Sequence, residues 1–445
     1  VMDAAADGRY AKARRVLRQF YRWYATALIA VGFFLSYVDR MALSLLVEDI
    51  KADLDITDFQ FSLLQGLAFS LFYAVMGIPL GKLADSANRK KLLAACISLW
   101  SLFTAGCGMA QSFIWMFLCR IGVGVGEAGL TPAAYSVASD MFPKRQLGRA
   151  TSIFTFGAYV GGGGGLIAVG LALAFFENGG ASGLPWIGDW APWRLTLIAL
   201  GLPGVVLSLL ILLTFREPLR GAMAEGEAVV ERVSFRDTLG FLRQEWRVFL
   251  PLMLGTSLCA FVTYGSAAWA PAFFMRTFGW DPQTVAANYG TLNLAAAAIG
   301  PFVGGYLLDR ASKGTDVARA LSVLVIIVIV ASCLAIAPLM ESPAFALAFI
   351  TVGIFAKTAY GTLLPALTQL MVPTSMRGQI VAIYVFASNI VGSLFGPAAI
   401  AAVTDFGFED PNRLGLSMAI VAGSALPFAI GMFLLARQGA RRAKR

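Results

Sequence analysis

Residues 81–91 read Gly-Lys-Leu-Ala-Asp-Ser-Ala-Asn-Arg-Lys-Lys, a short charged stretch between two long apolar runs. Its outline returns at Gly305-Tyr-Leu-Leu-Asp309, again after an apolar run. A base follows each acid at i+4: Arg89 after Asp85, Lys313 after Asp309. Ile153-Phe-Thr-Phe156 likewise returns as Ile383-Tyr-Val-Phe386, and Pro143 as Pro373. The offsets, 224 and 230, are close to half of the 445 residues. A membrane chain that repeats at its midpoint is expected to fold as two related units, with a transport site between them.

Apolar runs of about 20 residues, the length a membrane crossing needs, are expected near 24–47, 59–82, 92–111, 113–140, 149–176 and 193–215. Six more are expected near 248–274, 284–308, 318–340, 343–371, 379–403 and 414–436. The composition agrees: 58% hydrophobic and 14% charged, where soluble domains carry nearer ~25% charged residues. The expected fold is an all-α membrane protein of twelve transmembrane helices in two pseudo-twofold-related six-helix bundles. The divisions are an N-terminal tail (1–23), the first bundle (24–215), a linker (216–247), the second bundle (248–436) and a basic tail (437–445).

The net charge of +9 is concentrated in the tails and in alternate loops, among them Arg9 to Arg22, Lys82 to Lys91, Lys144 to Arg149, Arg216 to Arg247 and Arg437 to Arg445. That pattern places both termini and the linker in the cytoplasm and argues against nucleic acid as a partner. Trp186, Trp190 and Trp193 are expected to form an aromatic belt at the opposite interface. The basic start lacks a small-residue cleavage site, so no cleavable leader is expected, and Val1 reads as a trimmed or added start. The five cysteines lie in apolar stretches and are expected to pack as small hydrophobes. No metal-ligand spacing is present, and the chain has no histidine, so proton chemistry must use carboxylates.

Asp39 and Arg40 stand side by side inside the first span. A charge at the centre of a span costs roughly 3 kcal/mol on insertion scales unless it faces a cavity or a partner. Arg120 and Glu127 are seven apart in the fourth span, about 700° around a helix, and so share a face. At 1.5 Å per residue, Arg40 lies roughly two helical turns nearer the outer surface than Glu127, a gap a long arginine can close in part. Lys357, in the tenth span, falls 230 residues after Glu127, so the repeat offers an acid and a base at related positions. Tyr264, Asn293, Tyr360, Ser388 and Asn389 are polar residues placed to line the second half. Gly124-x-Gly126-x-x-Gly129 matches a dinucleotide fingerprint, but no strand precedes it; close helix packing accounts for its glycines.

The stretch Gly81-Lys-Leu-Ala-Asp85 through Arg89-Lys-Lys91 resembles the signature between spans two and three of the major facilitator superfamily, with Asn88 where a glycine is usual. Asn tolerates left-handed backbone, so the turn is expected to survive. Span five, from Gly148 through Gly157 and Gly161, is similar to the superfamily's antiporter motif, with Gly162 in place of proline. The fuller Gly392-x-x-x-Gly396-Pro397 lies in span eleven. Tyr37-Val-Asp39-Arg40, Gly124-Val-Gly126-Glu127-Ala128 and Ala138-Ser-Asp140-Met-Phe142 resemble the Spinster family. An anion:cation symporter group has a similar Asp-Arg and Glu-Ala. The Spinster resemblance implies export of lysophospholipids or sphingosine phosphate, with the intramembrane acid and arginine as the coupling site in a central cavity.

These readings converge on a proton-coupled secondary transporter, not an enzyme, that moves an amphipathic solute with a charged headgroup by alternating access. The alternative is a proton-coupled symporter of a small organic anion. Glu127, Asp39 and Arg40 are expected to couple protons. Arg40, Glu127, Lys357, Tyr264, Asn389 and Tyr360 are expected to bind substrate. Gly81, Asp85, Arg89, Asp309 and Arg120 are expected to gate. No cofactor is expected: a proton gradient drives the cycle, and no phosphate-binding Gly-x-x-x-x-Gly-Lys loop is present. The partners are a lipid-like or organic-anion substrate, protons and membrane lipids. A monomer in a bacterial inner membrane is expected.

Overall fold

A computed structural model describes residues 2–183, 185–221, 233–311, 317–373 and 375–442. The regular structure among them is helical. In chain order the membrane helices of the first half are α1 (Gln19–Leu45), α2 (Asp58–Ser86), α3 (Arg89–Gly108), α4 (Phe113–Met141), α5 (Arg145–Glu177) and α6 (Pro192–Thr214). The second half has α7 (Trp246–Phe278), α8 (Thr291–Ala311), α9 (Val317–Leu339), α10 (Pro343–Met371), α11 (Arg377–Phe408) and α12 (Pro411–Arg442). Eleven helices among the described residues are long and apolar enough to cross a membrane. The other, α8, occupies the expected span 284–308; Asn293, Gly300, Pro301, Gly304 and Gly305 dilute its hydrophobicity. It packs against α5 and α10. Lys313 lies outside the described residues.

Local sequence sets the helix ends. The Thr57 hydroxyl accepts from the Gln60 N–H at 3.2 Å, and the Thr57 N–H donates to Gln60 Oε1 at 3.0 Å. This reciprocal cap starts α2. Asn88 was expected to serve as a left-handed turn residue. Instead its backbone is extended, with φ −69°. Its Oδ1 accepts from the Lys91 N–H at 2.9 Å and so caps the start of α3.

The two halves pair their first and fifth spans in the same way. Gly157, Gly161 and Gly165 of α5 recur every four residues and lie on α1. A methyl at each would stand 2.5 Å from the Ala30 carbonyl, 2.6 Å from the Phe34 carbonyl and 2.9 Å from Val38 Cα. In the second half α11 approaches α7 as closely: a methyl on Gly265 would meet the Gly396 carbonyl at 2.8 Å. Small residues let these backbones touch where apolar side chains alone give helices little reason to associate in lipid.

Bonds between the halves gather on the face opposite the chain ends. Arg276 of α7 donates to Glu48 Oε1 at 2.9 Å and to Asp58 at 2.6 and 2.7 Å, and Lys51 pairs with the same Asp58. Asp405 of α11 accepts from the Phe59 N–H at 2.6 Å, at the first turn of α2. The polar bonds that join the halves thus lie on the face away from the chain ends. A methyl added to Gly305, Gly361 or Gly378 would meet nothing within 4 Å. Trp186 is 94% exposed, as an interfacial residue would be. Trp193 is buried instead, and its indole N–H donates to Asp53 at 2.9 Å, so it does not belong to the belt.

Candidate functional site

Two acids and two bases meet inside the first half. Ser36, Asp39 and Arg40 lie within about one turn of α1, and Arg120 and Glu127 lie two turns apart on α4. Arg40 donates from Nε at 3.0 Å and from Nη2 at 2.6 Å, both to Glu127 Oε2. The Ser36 hydroxyl donates to the same oxygen at 2.7 Å. The other oxygen, Oε1, is buried without a hydrogen-bond partner. The long arginine side chain thus spans the depth difference expected from the sequence. The Glu127 side chain is fully buried, whereas that of Arg40 is 22% exposed. One partner of the pair is therefore partly exposed while the other is sealed.

The second pair is looser. Asp39 Oδ1 accepts from the Thr104 hydroxyl at 2.8 Å, while Oδ2 faces Arg120 Nη1 at 3.6 Å. Neither Oδ2 nor Nη1 has a hydrogen-bond partner. Phe69 stands between the pairs, its ring centroid 4.7 Å from the Arg40 guanidinium and 5.0 Å from that of Arg120. Tyr37 and Tyr73 present their faces to Arg40 at 5.0 and 5.1 Å. Phe69 is aimed by a π-helical turn, Leu67–Leu71, in α2. Such turns occur often at functional sites. Gly124 of α4 lets that turn approach, since a methyl there would stand 2.5 Å from the Phe69 carbonyl. The glycine-rich run on α4 therefore serves packing. Arg120, expected at the gate, lies with Asp39 in this interior cluster, because its position on α4 is far from the chain-end face.

The second half contributes Lys357 of α10, whose ammonium lies 5.4 Å from the centre of the Tyr264 ring. The Tyr264 hydroxyl donates to Asn389 Oδ1 at 2.9 Å, joining α7 to α11. Ser388 is buried, its hydroxyl without a partner. Tyr360, expected to bind substrate, lies in the core of the second half. It is 6% exposed and packed in the core with Cys259 and Tyr384, because its position on α10 turns toward α7 and away from the space between the halves.

The gate residues fall into two groups. Arg89 is buried and ties three segments together: the start of α3, the end of α4 and the start of the linker. It donates to Glu217 Oε1 at 2.7 Å, to the Ser136 carbonyl and hydroxyl at 3.1 Å each, and to the Pro218 carbonyl at 2.8 Å. It also pairs with Asp140. Arg220 donates to the carbonyls of Ala84, Asp85 and Ala87. It satisfies the open end of α2 as a cation at a helix C-terminus does. Asp85, expected to gate, has an exposed carboxylate that makes no bond among the described residues. Gly81 lies near the same end of α2. Asp309 lies in the last turn of α8, and its side chain is outside the described residues.

Sequence reasoning passed over Ser36, Thr104, Phe69 and the outer clamp of Glu48, Lys51, Asp58 and Arg276. Ser36 was within reach, one turn before Arg40 on the same helix face. The five cysteines are free, four of them buried and Cys333 partly so. No group of acids, cysteines or histidines among the described residues is arranged to hold a metal.

The sequence matches the family model of the Major Facilitator Superfamily over residues 29–397. It is 28% identical over 399 residues to an MFS-type efflux pump of Mycolicibacterium smegmatis, covering 90% of this chain and 88% of that protein. It is 26% identical over 434 residues to Protein spinster of Drosophila melanogaster, covering 91% of this chain and 67% of that protein. A crystal structure of a bacterial homologue of the human lysosomal transporter Spinster, inward-facing and unoccupied, superposes with a TM-score of 0.81 at 26% identity, covering 95% of this chain and 97% of that one. With a family match over most of its length and a fold shared from end to end, the chain belongs to the Major Facilitator Superfamily, as a multi-pass membrane transporter most like the Spinster proteins.

Proposed function

We propose that this protein is a proton-coupled secondary transporter. Its solute is amphipathic with a charged headgroup, of the lysophospholipid or sphingosine-phosphate kind, and it moves by alternating access. The observation that supports this best is the state of Glu127. One oxygen takes three hydrogen bonds and the other none, in a fully buried side chain whose partner Arg40 is partly exposed. A buried carboxylate stays ionised while an arginine holds it and takes up a proton when that arginine leaves. An anionic headgroup entering the cavity competes for Arg40 by the same planar fork. Loading the solute and protonating Glu127 then favour the same conformation, which is what coupling requires. Asp39, held by Thr104 and facing Arg120 at 3.6 Å, shares or relays the proton. Lys357 offers a second cation from the other half. With both termini in the cytoplasm of a bacterial inner membrane, the state described here is the inward-facing one of a monomer.

The test is transport into proteoliposomes under an imposed pH gradient, with a labelled lysophospholipid and, separately, a small sugar acid. Lysolipid movement that follows the gradient and collapses with a protonophore is expected. If only the sugar acid follows the gradient, the lipid reading fails and the coupling stands. If neither responds to pH, the coupling fails.

A further inference from the structure

The cavity beside Lys357 is the counterpart, in the repeat, of the charged cluster in the first half. Adding the offset of 230 carries Arg120 and Glu127 onto Ile350 and Lys357, and Ser266 and Ala267 follow Asp39 and Arg40 by 227 residues, between the offsets of 224 and 230. All four of these second-half residues line one small cavity enclosed by α7, α8, α10 and α12. The quartet of the first half sums to zero charge: two carboxylates and two guanidinium groups bonded or facing one another. Its counterpart keeps one charge only, the Lys357 ammonium. Lys357 makes no hydrogen bond or ion pair among the described residues, and its sole close partner is the Tyr264 ring. No residue lining the cavity is acidic. Ser266, 7% exposed, lines the same cavity. The cavity holds about 30 Å³. That is room for roughly one or two water-sized groups.

From this we infer that the cavity is an anion subsite, in which Lys357 and Ser266 hold a single anionic atom. A lone ammonium in a low-dielectric site needs a counter-charge, and a hydroxyl lining the same cavity can supply a second donor. The volume admits a halide ion or one oxygen of a carboxylate or phosphate, and not a whole tetrahedral group. The anion comes either from solution or from the headgroup of the transported solute. Only the second source rests on the solute reading above.

The test uses the purified full-length chain in detergent and reads the thermal unfolding midpoint against bromide, with gluconate holding the ionic strength constant. A saturable rise with bromide is expected in the wild type. Lys357→Met should weaken the apparent affinity by at least about tenfold, the worth of one charge-assisted hydrogen bond. Ser266→Asp restores a carboxylate at the position that answers to Asp39. It should be folded without bromide and no longer respond to it, which keeps the test decisive if Lys357→Met fails to fold. Displacement of bromide by a lysophospholipid assigns the subsite to the headgroup oxygen; binding of both together assigns it to a free halide. A wild type that responds to bromide no more than to gluconate overturns the inference, as does a Ser266→Asp protein that responds like the wild type. A transporter that shows the bromide effect but no pH-driven flux would retain the subsite and lose the coupling scheme.

Discussion

Glu127 and Arg40 form a contact in which one residue holds the chemistry and the other controls access to it. Glu127→Gln keeps an acceptor for Ser36 and removes the titratable group. The three rings around Arg40 still hold the guanidinium, so the variant should fold. Proton-driven accumulation of solute should fall to the level of protein-free liposomes; accumulation against a gradient under a pH difference would sink the assignment. Arg40 closes on one oxygen with two N–H groups, and a lysine offers a single compact ammonium in their place. Arg40→Lys should therefore transport roughly tenfold more slowly, the equivalent of one lost charge-assisted hydrogen bond, and Arg40→Ala not at all. Initial rates at matched expression decide this, and a fully active lysine variant would show that charge alone suffices.

Short segments between the long helices hold the largest concentrations of polar bonding. The first residues of the linker dock on the loop between α2 and α3 through Arg89, Arg220, Glu217 and Asp140, so the signature stretch is fixed by a segment more than 120 residues away. Arg89→Ala leaves both acids without their base and should cost on the order of 3 kcal/mol, read as a lower unfolding midpoint with unchanged helix content. At the other face, Asp49 lies in the short helix Val47–Leu54, outside the membrane spans. Burial raises its pKa above the usual carboxylate range, and the nearby Glu177 and Glu48 raise it further. The folded state then binds a proton that the unfolded chain has already released. The associated stability is present at low pH and is lost as pH rises through the raised value. Asp49→Asn should therefore be more stable than the wild type at neutral pH, and the difference should vanish near pH ~4. A pH series of unfolding midpoints would contradict this if the two proteins stayed parallel.

As a whole the molecule is two similar halves held by a clamp on the face away from the chain ends. Asp58 is the centre of the clamp, since Arg276 and Lys51 both bond to its buried carboxylate. Asp58→Asn keeps some of these contacts but loses the charge that draws two cations together. It should shift the population toward opening on that face by about tenfold, for a loss near 1.4 kcal/mol. Spin labels on the outer ends of α2 and α7 should then show a longer distance population; an unchanged distribution would remove Asp58 from the clamp. Stability and switching pull against each other here, because a clamp that holds this state firmly also slows departure from it.

The sequence by itself determined the spans, the repeat and the membrane setting, because these depend on composition and periodicity along the chain. It also drew attention to Asp39, Arg40, Arg120 and Glu127, because charge inside an apolar run is costly wherever the run folds. Only the tertiary structure decided which acid takes which base. The spacing of Arg120 and Glu127 says that they share a face of α4, but not how far α4 slides along α1. One turn of slide, about 5.4 Å, would part Arg40 from Glu127 and Asp39 from Arg120. Tyr360 shows the same limit: its span and polarity were legible, yet a rotation of α10 settled that it packs in the core. The clamp was less legible still. Arg276 meets Asp58 across 218 positions of sequence, and Asp405 meets Phe59 across 346. No local pattern encodes such contacts, because they arise only when two separately folded halves dock. The small cavity at Lys357 is likewise a product of docking helices, although the repeat that explains it was readable from the first half of the chain alone set against the second.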